Sequence, residues 1–194
     1  MIATLGLAAL WLAASLALLQ LFSGFLALRQ PDNPLAPVVR PVAMVQAGLV
    51  SIAFLCLLTA FVQTDLSVAL VAANSHSAKP MLYKVAGTWG NHDGSMLLWV
   101  TIMALAGGFV ALLEKRLPEP TLLATLAAQA FVSLGFYAFL LLASNPFARL
   151  DSIPAEGNGL NPLLQDPGLA FHPPTLYVGY VGLSVAFSFA VGAL

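Results

Sequence analysis

Only three histidines occur in these 194 residues, and two of them stand where an apolar run begins. His92 lies in Trp89-Gly90-Asn91-His92-Asp93-Gly94-Ser95, and His172 lies in Phe171-His172-Pro173-Pro174. A neutral imidazole is a ligand for metal ions and heme iron, and at the mouth of a helix it meets them from the aqueous side. The third, His76, falls in the polar turn Asn74-Ser75-His76-Ser77 and suits an exposed loop tip. Cys56, the sole cysteine, sits inside an apolar run and suits packing as a small hydrophobe. There is accordingly no disulfide framework, no cysteine zinc site and no Cys-x-x-Cys-His heme attachment motif. Met44, Met81, Met96 and Met103 show no recurring soft-metal spacing and read as packing residues.

The elements that must position these histidines follow from composition. At 60% hydrophobic and 8% charged, the chain lies far from the roughly 25% charged residues of soluble domains. Five intervals free of Asp, Glu, Lys and Arg are long enough to cross a bilayer core of about 30 Å as helix. They predict an all-α, polytopic membrane bundle, a single domain over 1–194 with spans near 3–28, 42–63, 94–113, 121–143 and 174–194. The runs lack the alternation of a membrane barrel, and the first has no basic residue ahead of it, so it reads as a retained span. Arg29, Arg40, Lys115 and Arg116 fall in the two short connections, which predicts those on the cytoplasmic side. With net charge −1 and no basic cluster, nucleic-acid binding has no electrostatic basis.

The loops 64–93 and 144–173 should then face outward and carry short interfacial helices. The apolar residues of 81–89 suit one such helix, with Lys84 outward and Tyr83 and Trp89 at headgroup depth in contact with lipid. Five prolines, with Pro174 just beyond, make 144–173 an irregular cover, and Leu160, Leu163, Leu164, Leu169 and Phe171 suggest that it is docked. A residue before proline is pushed to extended backbone, and Pro173 and Pro174 suit a first helical turn, which places His172 at or just outside the helix start. The residues alone leave His172 either an iron ligand or a cap. They leave His92 either a ligand or part of a helix-opening turn in which Gly90 and Gly94 serve close packing and Asp93 or Ser95 caps. Gln20, Gln46, Thr59, Gln129 and Ser133 suit hydrogen bonds between helices. No charge lies at the centre of a span, which argues against an ion-coupled transporter.

The strings NSHSAKPMLYKVAGTWGNHDGSMLLWV, SNPFARL and LNPLLQDPGLAFHPPTLYVGYVGLSVAFSFA closely resemble the N-terminal part of the CcmF family, with relatives such as NrfE. The resemblance is collinear over essentially the whole chain. It implies heme handling on the outer face of the bacterial inner membrane during system I cytochrome c maturation. Heme b would pass as a transient substrate from the chaperone CcmE, and CcmH-type proteins would present the apocytochrome c, to which a heme lyase forms the thioethers. In the family the FHPP histidine is an outward axial ligand to heme iron, which falls on His172, fixed by Pro173 and Pro174. His92 matches the histidine of a WGxHEGS signature that Trp89 opens, and both are counted as candidate heme contacts. Asn91 and Asp93 depart from the signature's usual Ala and Glu.

CcmF proteins are much longer and add a tryptophan-rich platform, a second outward histidine and the ligands of a buried b-type heme. The resemblance therefore implies that these 194 residues are a truncated or split portion, inactive as a lyase without the C-terminal portion of CcmF as partner. A structural scaffold subunit and a small-solute transporter are the competing readings.

Overall fold

The computed structural model describes residues 1–30 and 33–194; Pro31 and Asp32, with the side chain of Leu169, lie outside the described residues. Five helices are long and apolar enough to span a membrane: α1 (Ile2–Arg29), α2 (Val39–Gln63), α5 (His92–Leu113), α6 (Glu119–Leu142) and α7 (Pro167–Ala193). The short helices α3 (Ala69–Asn74) and α4 (Met81–Gly87) lie between α2 and α5. The chain is a multi-pass, all-α membrane protein. Its β content among the described residues is one isolated bridge, Val68 to Arg149.

Leu- and Ala-rich composition makes the spans good helix formers, and small residues let them approach. A Cβ on Gly24 of α1 would stand 2.8 Å from the Ala127 Cβ of α6, and one on Gly108 of α5 would stand 2.7 Å from the Ala47 Cβ of α2. With no hydrophobic drive between helices in lipid, such close van der Waals contact holds a bundle together. α1 packs on α2 and α6, α2 packs on α5, and α7 leans on α5 and α6 at the edge. Leu10, Leu57, Phe61, Leu97, Tyr137 and Leu140 form the fully buried centre.

Polar side chains tie the spans where the sequence suggested, with one exception. Gln20 Nε2 donates to the Leu126 carbonyl at 2.8 Å, and Gln46 Nε2 donates to that of Ala13 at 3.4 Å. Ser188 Oγ donates to Gln129 Oε1 at 2.8 Å, while Gln129 Nε2 reaches the Met103 carbonyl at 3.4 Å. Ser133 Oγ meets Met103 Sδ at 3.2 Å. Thr59 instead turns back on its own helix, donating to Leu55 O at 2.7 Å, a local bond that spares a hydroxyl facing lipid from being unpaired. On the basic side of the bundle, Arg40 Nη1 donates to Glu114 O at 3.1 Å, at the negative end of α5. The Glu114 carboxylate is held below its ordinary range by the Arg116 and Leu117 amides it accepts, Arg116 first.

The two long loops are stitched into one layer. Ala69 N donates to Ala148 O at 2.8 Å, Leu150 N to Ser67 O at 3.1 Å, Asn158 N to Ala72 O at 2.8 Å, and Gly159 N to Ser75 O at 3.0 Å. These main-chain bonds satisfy groups that proline-rich, irregular chain cannot satisfy internally. Phe147, 2% exposed, is driven against Gly6 of α1, where a Cβ would lie 2.5 Å from its ring. Of the apolar residues expected to dock the second loop, Leu160 is buried, but Leu163 and Phe171 remain 80% and 64% exposed. That loop carries only one 3-10 turn, Pro162–Leu164, before α7.

Candidate functional site

His172 lies elsewhere than expected: α7 begins at Pro167, five residues before the histidine, so Pro173 and Pro174 are inside the helix rather than in its first turn. The reason is local. Asp166 Oδ1 accepts the Gly168 amide at 2.8 Å and Asp166 O accepts that of Ala170 at 2.9 Å, while Pro167 takes the first helical position, the pattern of a capped helix start. Two interior prolines then remove the donors that would reach the Leu169 and Ala170 carbonyls. Trp89 Nε1 donates to the Ala170 carbonyl at 3.0 Å, in place of the missing Pro174 amide. Thr175 Oγ1 donates to His172 O at 2.8 Å, which ties the next turn. His172 itself is exposed, and its ring takes no hydrogen bond from the described residues.

The turn that opens α5 is built differently from expectation as well. Asn91, not Asp93 or Ser95, is the cap: its Oδ1 accepts the Gly94 amide at 2.8 Å and its Nδ2 donates to Gly87 O at 2.6 Å. Ser95 Oγ donates to His92 O at 2.8 Å. Asp93 is drawn to the end of α6, where the Ser144 hydroxyl donates to Asp93 Oδ1 and lies 3.2 Å from His92 Nδ1. The His92 ring meets Phe139 edge-on at 5.6 Å between centroids. Its Nδ1 is thereby engaged, leaving Nε2 for any outside partner. Gly94 faces the carbonyl of Thr88, with no room for a Cβ, so its lack of a side chain serves this turn rather than a ligand. A groove of about 350 Å³, lined by His92, Met96, Gly135, Phe136 and Phe139, opens beside the ring.

α4 is also rotated from its expected pose. Lys84 points back, donating from Nζ to Thr64 Oγ1 at 2.8 Å, while Met81 and Leu82 are exposed. Thr64 ends α2 with φ 55°, in the left-handed region, and its hydroxyl needs a partner as the chain reverses. Lys79, 8% exposed, donates to Asn74 O at 2.9 Å. Burial, then the charge of Lys84, pushes its ammonium down to about 8.

His76 is half-buried: its Nδ1 accepts the Ala78 amide at 3.1 Å, and its Nε2 stands 4.0 Å from Glu156. Sequence reasoning missed Ser144 and Glu156, whose partners are 51 and 79 residues away. Among the described residues no three His, Cys, Asp or Glu side chains gather to hold a metal ion.

The family described as cytochrome C assembly protein matches residues 89–194, the part that holds both histidine turns. The chain is 52% identical over 194 residues to the cytochrome c-type biogenesis protein ccl1 of Rhodobacter capsulatus, covering all of this chain and 30% of the relative. It is 47% identical over 195 residues to the cytochrome c-type biogenesis protein CcmF of Pseudomonas aeruginosa, again covering 100% of this chain and 30% of that protein. A solved structure, cytochrome c heme lyase CcmF, superposes on 100% of this chain and 30% of its own with a TM-score of 0.86 at 27% identity. The chain thus spans about 30% of the length of the curated relatives it matches.

Proposed function

The chain belongs to the cytochrome C assembly protein family, in its CcmF branch, and from that premise we propose that it handles heme in cytochrome c maturation at the outer face of the inner membrane. Heme b arrives as a substrate from a CcmE-type chaperone, and His172 takes one axial position of its iron. The C-terminal portion of a CcmF-type chain supplies the opposite ligand and the flat apolar platform, and CcmH-type partners bring the apocytochrome c. The observation that carries this reading is the exposed imidazole of His172, without a hydrogen bond from the described residues, on a helix turn carrying two consecutive prolines, beside the 64% exposed Phe171. Iron needs a nitrogen lone pair and the porphyrin needs apolar contact, and both are offered there. His92, with Nδ1 occupied, contributes at most through Nε2.

This chain's own residues act by position. Holding the porphyrin vinyl groups against two thiols lowers the barrier by orientation, and heme supplies the reactive carbons. The test is co-expression with the C-terminal portion and the holo-chaperone, followed by pyridine hemochrome and absorption spectra for the wild type and His172→Ala. Loss of the surface heme signal, with any buried b-type heme retained, supports the reading. An unchanged spectrum with normal cytochrome c maturation leaves the histidine structural and assigns the chain a scaffold role.

A further inference from the structure

Trp89 was a candidate for touching heme, yet its indole N–H is spent elsewhere, on the Ala170 carbonyl at 3.0 Å. We propose that Trp89 is a positioning residue for His172, acting through the one carbonyl that Pro174 deprives of its helical donor. The proposal rests on the reading of His172 as an iron ligand.

Three observations converge on it. Ala170 is 2% exposed, so water is a poor substitute for the missing amide at its carbonyl, and a buried acceptor without a donor is costly. Ala170 lies two residues before His172, within the same turn, so a shift of its carbonyl moves the imidazole. Trp89 stands on a rigid base: its own amide donates to Ala86 O at 3.2 Å, that of Gly90 donates to the same oxygen at 2.8 Å, and Asn91 caps α5 immediately after. The indole thus carries the order of the α4–α5 corner across 81 residues of sequence to the proline-interrupted start of α7.

The WGxHEGS-like and FHPP segments become halves of one device under this inference. The first supplies a donor, and the second lacks one by virtue of its second proline. An interior proline pair frees the start of α7 from the main-chain ladder, and the indole refastens it at one point.

A double-mutant cycle in the full chain, reconstituted in nanodiscs with its C-terminal portion, tests this. Trp89→Phe keeps the ring and removes the donor, whereas Pro174→Ala returns a main-chain donor to Ala170. Amide hydrogen exchange at Phe171, His172, Thr175 and Leu176 and the dissociation constant for hemin, each with and without His172→Ala, are the two readouts. Trp89→Phe is expected to speed exchange and weaken hemin binding by about three- to tenfold, the worth of one hydrogen bond, and Pro174→Ala is expected to restore both. Unchanged exchange in Trp89→Phe overturns the proposal, as does an equal effect with Ala at 174. So does intact hemin affinity in Trp89→Phe when His172→Ala lowers it. If His172→Ala leaves the hemin spectrum unchanged, the heme reading falls, and the exchange cycle still decides whether the strut exists.

Discussion

The Glu156 carboxylate closes on Ser77 from 79 residues away, accepting the Ser77 hydroxyl at 2.5 Å and the Ser77 amide at 3.1 Å. With the Gly157 amide also donating, at 3.0 Å, one exposed side chain latches the two outer loops.

That latch is acid-sensitive in a defined window. The Ser77 hydroxyl, then the Gly157 and Ser77 amides, hold Glu156 down to about 2 from 4.5. A depressed folded value means the contribution is complete above 4.5 and disappears as pH falls toward 2. Protection of the Ser77 and Gly157 amides, taken as the exchange rate relative to the intrinsic rate at each pH, is expected to fall in that interval and to be steady from pH 5 to 7. Glu156→Gln should show faster exchange already at pH 7 and no acid transition there.

Two glycines should respond oppositely to alanine. At Gly94 a Cβ would overlap the Thr88 carbonyl, which is backbone and cannot swing aside, whereas at Gly135 nothing lies within 4 Å. Gly94→Ala is expected to destabilise the α4–α5 corner by about 2 kcal/mol or more, in the range of overpacked sites. Gly135→Ala should be neutral or stabilising by up to about 1 kcal/mol. Thermal unfolding in detergent micelles reads both.

Gln129→Leu removes the acceptor of Ser188 and the donor to Met103 O. Bonds between membrane helices contribute about 0.6 kcal/mol each, so a loss of about 1 kcal/mol is expected, divided between the contacts of α6 with α5 and with α7. Ser188→Ala, which removes one of those bonds, should cost about half as much. Unfolding by graded SDS, followed by a label on α7, checks the ratio.

Orientation is testable from one side of the membrane. Ser152 and Lys115 are both exposed, at opposite ends of the bundle, while Cys56 is buried. A membrane-impermeant maleimide applied outside intact cells should label Ser152→Cys and leave Lys115→Cys unlabelled until the membrane is broken. The reverse pattern would turn the histidine face to the cytoplasm and remove the basis for heme delivery there.

The number of spans, their approximate limits and the placement of His92 and His172 at the edges of apolar runs were legible in the sequence, because a bilayer imposes one dominant rule: about 20 apolar residues per crossing. The collinear motifs carried the family for the same linear reason. The interhelical roles of Gln20, Gln46 and Gln129 were readable too, since a polar group inside lipid must find a partner.

The fine structure of the site depended on partners far apart in the chain. Proline rules favour a helix starting at Pro173 and Pro174, yet Asp166 and Pro167 cap an earlier start, and the indole of Trp89 reaches the Ala170 carbonyl that Pro174 leaves without its helical donor. Asp93 looked like a cap until Ser144 drew it to α6 and left that duty to Asn91. Lys84 turned inward because Thr64, in left-handed backbone, offered it an oxygen. Local pattern sets what each segment can become, but a hydrogen bond across 20 to 80 residues is settled only when packing brings its two ends together.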